Sequence, residues 1–93
     1  MNFHFLSISK LDKYYNLTFT ALNIARRSVV KGKEQRAKEI LTTAECYLSD
    51  AKHFQKKKDF VNAFACLNYA HGWLDAGARL KIFNVNDNHL FSV

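Results

Sequence analysis

Proline is absent from all 93 residues of this chain, and glycine occurs only three times, at positions 32, 72 and 77. A β-sandwich or barrel of this length needs turn residues every few positions, so the sequence argues against an all-β fold and favours helices. The hydrophobic fraction of 48% and the charged fraction of 24% are typical of a globular protein. A chain this short is expected to form one domain.

Apolar residues recur at spacings of three and four along three segments, which predicts three amphipathic helices. We expect these helices over residues 8–31, 33–57 and 59–82, followed by a tail over residues 84–93. The apolar stripes consist of Ile8, Leu11, Tyr15, Phe19, Leu22, Ala25 and Val29 in the first helix, Ala37, Ile40, Leu41, Ala44, Tyr47, Leu48, Ala51 and Phe54 in the second, and Phe60, Ala63, Cys66, Leu67, Ala70, Trp73, Leu74 and Gly77 in the third.

Short connections at Gly32 and Lys58 require neighbouring helices to run antiparallel. The predicted fold is therefore all-α, an up-down-up three-helix bundle that makes residues 1–93 a single helical-bundle domain. The short C-terminal tail is expected to pack back on the bundle through its apolar residues, which are Leu90, Phe91 and Val93.

The formal net charge of +6 favours acidic partners such as nucleic acid, although a small domain also needs net charge for solubility. The basic residues form one group around each predicted turn, so we expect the charge to be split between the two ends of the rod. The first group supplies the candidate nucleic-acid contacts, which are Arg26, Arg27, Lys31, Lys33, Arg36 and Lys38. The second group consists of Lys52, Lys56, Lys57 and Lys58.

Neither a secretory signal nor a membrane-spanning segment can be recognised in the sequence, so we expect a cytoplasmic protein with no membrane partner. Cys46 lies on the polar face of its helix and Cys66 on an apolar stripe, which favours two free thiols over a disulfide. Histidine and cysteine occur without the spacing of metal ligands, and phosphate-binding loops are absent. We therefore expect no metal, no cofactor and no small-molecule substrate.

Polar side chains are most closely grouped on the third predicted helix. His71, Asp75 and Arg79 follow one another there at spacings of four and share a face. One interpretation is a polar site in which His71 accepts a proton or binds a ligand. The other is a charge ladder that stabilises the helix, which we favour because one histidine and one aspartate are weak support for catalysis. We therefore expect no enzyme. The complete candidate interaction face is Phe64, Asn68, His71, Asp75 and Arg79.

Gly72 and Gly77 interrupt the same helix at a cost of about 1 kcal/mol each relative to alanine, so close packing is expected around them. Gly77 lies on the apolar stripe, Gly72 on the outer side, and between them Trp73 is expected to anchor the core. The first helix carries a second apolar seam, which the tail or a partner chain is expected to cover. This seam consists of Tyr14, Leu17, Ala21 and Ile24.

The run YAHGWLDAGARL over residues 69–80 resembles the hallmark of an archaeal family of unknown function, domain-of-unknown-function family 357. The flanking strings agree with that family from about residue 33 onward, and they are AKEIL at 37–41, YLSDA at 47–51, KDFVNA at 58–63 and NDNHLF at 86–91. One departure is Lys58, at a turn position where the family usually has glycine. The resemblance implies a small helical bundle in an archaeal cytoplasm, and it brings no activity, substrate or cofactor.

The surplus apolar surface and the two helical glycines favour a non-enzymatic module for protein–protein interaction or self-association, bound to a protein partner or to a second copy. The alternative is a nucleic-acid-binding accessory protein that uses the basic cluster over residues 26–38. A third interpretation is a small ligand or enzyme site at His71, Asp75 and Arg79.

Overall fold

The computed structural model describes residues 8–91. It contains three helices, α1 at Ile8–Arg26, α2 at Glu34–Lys56 and α3 at Phe60–Arg79. The helices pack against one another, α2 and α3 most extensively. The predicted all-α three-helix bundle is confirmed, and it forms a rod with dimensions of 44 × 22 × 19 Å.

The seam between α2 and α3 is built from small residues that recur every seven positions. On α2 they are Ala37, Ala44 and Ala51, and on α3 they are Ala63, Ala70 and Gly77; all six are buried. A seven-residue spacing keeps such residues on one side of a helix, and their small size lets the two backbones approach closely. This close approach explains why the α2–α3 hairpin is the most extensive contact in the fold.

Both α2 and α3 end in a Schellman motif with a lysine in the left-handed position. Lys58 has φ of 61° and Lys81 has φ of 60°. In the first motif the N–H of Asp59 donates to the carbonyl of Phe54 at 2.8 Å, and in the second the N–H of Ile82 donates to that of Gly77 at 2.9 Å. These bonds satisfy carbonyl groups that a helix end would otherwise leave without partners.

The first helix ends at Arg26, five residues before the predicted end at residue 31. The reason is a pairing with a distant segment, in which Val29 forms an antiparallel bridge with Phe83. Val30 N–H donates to the Ile82 carbonyl at 2.9 Å, and Asn84 N–H donates to the Ser28 carbonyl at 2.7 Å. The apolar periodicity of the sequence could not show that residues 28–30 form hydrogen bonds with residues 82–84 instead of continuing the helix.

The third helix also ends three residues before its predicted end, at Arg79. Beyond it the chain turns so that the ring of Phe83, which is fully buried, lies against Gly77. A Cβ atom on Gly77 would stand 2.6 Å from Phe83 Cδ2 and 3.3 Å from Ile40 Cδ1. The missing side chain of Gly77 therefore leaves room for the Phe83 ring to pack against α3.

The tail returns along the bundle and ends in a compact turn. The side chain of Asp87 accepts hydrogen bonds from the N–H groups of His89 and Leu90, and its carbonyl accepts one from Phe91 N–H at 3.0 Å. Phe91 is 2% exposed and packs in the core. The predicted packing of the tail is thus present at Leu90 and Phe91, whereas Val93 lies outside the described residues.

We expect Gly77→Ala to destabilise the protein by about 1–3 kcal/mol, because the new methyl group would displace the Phe83 ring from a packed core. The matched control is Gly72→Ala on the same helix. Among the described residues nothing lies within 4 Å of a Cβ placed there, so this variant should gain about 1 kcal/mol of helix propensity. Urea unfolding followed by circular dichroism measures both, and shifts of the same sign would contradict the assignment.

Lys58→Gly should raise the free energy of unfolding by up to about 1 kcal/mol, because glycine adopts a left-handed conformation without the steric cost of a Cβ atom. Lys57 is the control, since it precedes Lys58 and has an ordinary φ of −83°. Lys57→Gly should lower the stability by about 0.5–1 kcal/mol through backbone entropy alone. Thermal unfolding of the two variants separates the effects.

Candidate functional site

His71 projects from α3 towards α1 and the tail, and both nitrogen atoms of its ring have partners. Nε2 lies 2.7 Å from the carbonyl oxygen of Leu90, and Nδ1 lies 3.2 Å from Thr18 Oγ1. A carbonyl oxygen only accepts, so Nε2 carries the hydrogen and, in the neutral ring, Nδ1 accepts from the Thr18 hydroxyl. Asp75 Oδ1 stands 3.6 Å from Nε2. His71 thereby ties together three segments of the chain.

The candidate face on α3 is divided by the fold. At one end Phe64 packs edge-on against Tyr14 of α1, with ring centroids 5.4 Å apart. Asn68, His71 and Asp75 line a groove between α1, α3 and the tail. Arg79 is exposed at the end of the helix, away from that groove. The structure therefore brings together only the middle part of the predicted face.

The groove at His71 has a volume of about 360 Å³. Gly72 lies at its wall and leaves open the space that a side chain would fill. Both ring nitrogens of His71 already have hydrogen-bonding partners in α1 and the tail, so the arrangement is that of a residue that stabilises the packing of these segments on α3. Within residues 8–91, no set of three histidine, cysteine or carboxylate side chains is placed to hold a metal ion.

The second apolar seam of α1 is only partly covered. Ala21 is fully buried and Ile24 packs against the core, while Tyr14 and Leu17 remain 38% and 37% exposed. Leu90 of the tail lines a groove of about 550 Å³ together with Leu17. The tail therefore reaches this seam without closing over it.

Apolar side chains stand exposed on the α3 side of the α2–α3 hairpin. Tyr69 is 61% exposed, Trp73 43% and Leu80 69%, and Tyr69 stacks on Tyr47 of α2 with centroids 5.4 Å apart. We call these four residues the aromatic face. The expectation that Trp73 anchors the core is wrong, because its side chain is 43% exposed on the outer side of α3.

The aromatic face points away from α1. Successive residues of a helix are rotated by about 100°, so Tyr69 lies roughly 160° around α3 from His71, which faces α1. The alanine seam lies between these two sides. The face is thus part of the hairpin surface that α1 does not cover.

The two cysteines are free, with Cys46 exposed and Cys66 half-buried. Burial raises the pKa of the Cys66 thiol, and the negative charge of Asp50 raises it further. A nucleophilic cysteine needs a lowered pKa, and for Cys66 the shift is in the opposite direction.

All six candidate nucleic-acid contacts are exposed at one end of the rod. Arg26 is also paired with Glu45 of α2 at 2.9 Å. The antiparallel topology brings two further basic residues of the α3 terminus to the same end, and sequence spacing did not reveal them. Together these residues form what we call the basic end, namely Arg26, Arg27, Lys31, Lys33, Arg36, Lys38, Arg79 and Lys81.

A comparison with known proteins gives one match. The family model described as "Protein of unknown function (DUF357)" covers residues 13–83, which include most of α1 and all of α2 and α3. No curated protein and no solved structure matches the chain. Within residues 8–91, none of the helices combines the length and the apolar character needed to cross a membrane.

We expect His71→Ala to lower the stability by about 1–3 kcal/mol, because it removes the partner of the buried Thr18 hydroxyl and of the Leu90 carbonyl. Hydrogen exchange of the Phe91 amide should accelerate in this variant, since the tail loses its attachment to α3. The control is Asn68→Ala, an exposed position on the same helix, where the change should stay within about 0.5 kcal/mol. Unchanged exchange at Phe91 would show that His71 does not hold the tail.

Proposed function

The chain belongs to the DUF357 family, a family of unknown function, and we propose that it acts as a non-enzymatic interaction module whose contact surface is the aromatic face. The observation that carries this proposal is the exposure of Tyr69, Trp73 and Leu80 along one side of α3. Contiguous exposed apolar surface is costly to a soluble protein and marks interaction sites. Tyrosine and tryptophan are also the residues that contribute most to binding at interfaces.

The support beneath this face is rigid. Tyr69 and Tyr47 hold one another by stacking, so their rings lose little conformational freedom when a partner binds. The alanine seam fixes the two helices close together directly below them. A face carried by packed helices keeps its geometry better than one carried by loops.

A second copy of the chain is the partner that the charges at the margin of the face favour. Arg36 and Asp50 are both exposed and lie fourteen residues apart on α2, which is close to four helical turns and about 21 Å. Both therefore stand on one side of α2, with Tyr47 between them. In a two-fold pair with antiparallel α2 helices, Arg36 of each copy meets Asp50 of the other.

The engagement of His71 supports the non-enzymatic part of the proposal. Its two ring nitrogens are bound to Leu90 and Thr18, so a reacting group would have to displace the tail before it could exchange a proton there. Asp75 lies beside the same ring, with Oδ1 3.6 Å from Nε2. A general base needs an accessible nitrogen within hydrogen-bonding reach of its substrate.

Light scattering should give twice the 10.8 kDa mass of one chain, and Tyr69→Lys/Trp73→Lys should return the mass to that of a monomer. Both side chains are exposed, so the folded state should tolerate the substitutions. Phe19→Lys is the control because Phe19 is 45% exposed but lies on α1, and this variant should remain dimeric. A wild-type chain that stays monomeric at millimolar concentration would contradict self-association.

The charge pairing is tested separately. Arg36→Asp should weaken the dimer, because it places two carboxylates opposite each other, and Arg36→Asp/Asp50→Arg should restore it. Analytical ultracentrifugation over a concentration series gives the dissociation constants. A double variant as weak as the single one would contradict the antiparallel arrangement while leaving the aromatic face as the contact surface.

A further inference from the structure

The net charge of the chain is concentrated at one end of the rod. The basic end holds eight of the fourteen basic residues, including all four arginines, and three of the eight acidic residues, Glu34, Glu39 and Glu45, lie among them. Six basic and five acidic residues remain in the rest of the chain. The lysines of the second predicted group are exposed at the opposite end of the rod, so basic residues occur at both ends and the larger net charge is at the basic end.

Three segments that are distant in sequence are fixed together at this end. The bridge between Val29 and Phe83 joins the α1–α2 connection to the residues that follow α3. In this antiparallel register, Lys31 and Lys81 stand two positions beyond the bridged pair, on the same side of it. The fold thus holds the cations of all three helices in one cluster although like charges repel.

Three acidic residues lie near the cluster and neutralise only part of its eight positive charges. Both carboxylate oxygens of Glu34 lie 3.0 Å from the backbone N–H of Gly32, and these backbone hydrogen bonds lower the pKa of Glu34. Glu34 is thus used to shape the connection. At this end Arg26 forms an ion pair with Glu45, and their side chains are 48% and 46% exposed. A polyanion would relieve the repulsion that remains.

The chemistry of the cations favours phosphate groups. Arginine presents a planar fork of donors that binds phosphate through two hydrogen bonds, and every arginine of this chain lies here. The rod is 22 × 19 Å across. Along the axis of a duplex each strand carries one phosphate per about 3.4 Å, so a surface of this width can contact several of them.

The same geometry argues against a membrane surface. A helix that binds lipid lies flat in the interface with an apolar face beneath it. The basic end is instead made of helix termini and the connections between them, so no helix lies along it. We propose that the basic end binds the phosphodiester backbone of nucleic acid without reading base sequence, and that Arg79 and Lys81 are part of this site.

The test is fluorescence anisotropy of the full chain with a labelled 20-nucleotide strand and with its duplex, at salt concentrations from about 50 to 200 mM. We expect binding that weakens steeply with salt. Arg79→Gln/Lys81→Gln should reduce the affinity at low salt roughly tenfold and lower the slope of log K against log salt by about 0.9 per lost phosphate contact.

The matched control is Lys56→Gln/Lys57→Gln, which removes the same two charges at the opposite end of the rod. This variant should bind within twofold of the wild type, and circular dichroism checks that both variants keep the fold. Equal losses in the two variants would overturn the site, because net charge alone would explain them. Failure of the wild type to bind either oligonucleotide at low salt would overturn the proposal, as would binding only to vesicles that contain anionic lipid.

The oligonucleotide test shares one residue, Arg36, with the proposed self-association, and Arg79→Gln/Lys81→Gln leaves that residue in place. Tyr69→Lys/Trp73→Lys disrupts the aromatic face and leaves every residue of the basic end in place. A wild-type chain that is monomeric but binds the oligonucleotides, with the expected loss in Arg79→Gln/Lys81→Gln, would overturn self-association and keep the nucleic-acid site.

Discussion

The close contact between α2 and α3 is the constraint on which the rest of the structure depends. Three alanines on α2 face two alanines and Gly77 on α3, each set spaced by seven residues. The bulky side chains of the hairpin lie on the two flanks of this seam. On one flank Leu48, Leu67 and Leu74 are buried in the core. On the other, Tyr69 and Trp73 face outward, and the surplus apolar surface arises there.

Much of the fold could be predicted from the sequence because its periodicity is local. The α2 and α3 stripes identify two helices to within a few residues, and the short turn at Lys58 makes them antiparallel. The ends of the helices were harder to predict from the sequence. A lysine at the left-handed position of a Schellman motif carries no compositional signal, and residues 28–30 leave the helical pattern only because Ser28 to Val30 meet a segment more than fifty residues away.

The candidate site was predictable in its residues and not in its arrangement. His71 stands out from sequence because of its neighbours, but its partners Thr18 and Leu90 lie 53 and 19 residues distant. Trp73 was misplaced because a helical stripe shows which side a residue is on and not how much room that side offers. Arg79 was assigned to a polar ladder, whereas the topology puts it beside the cations of α1 and α2. In each case the missing information is long-range.

The attachments of α1 have a consequence for how the chain is made. Thr18 of α1 binds His71, and Val29, which follows α1, pairs with Phe83, so two of the contacts that hold α1 in place are made by the last quarter of the sequence. The α2–α3 hairpin needs only local contacts and can form as soon as it emerges. Until then α1 presents Leu11 and Leu22 to its surroundings without their core. Of the three helices, α1 is thus made first and completes its contacts last.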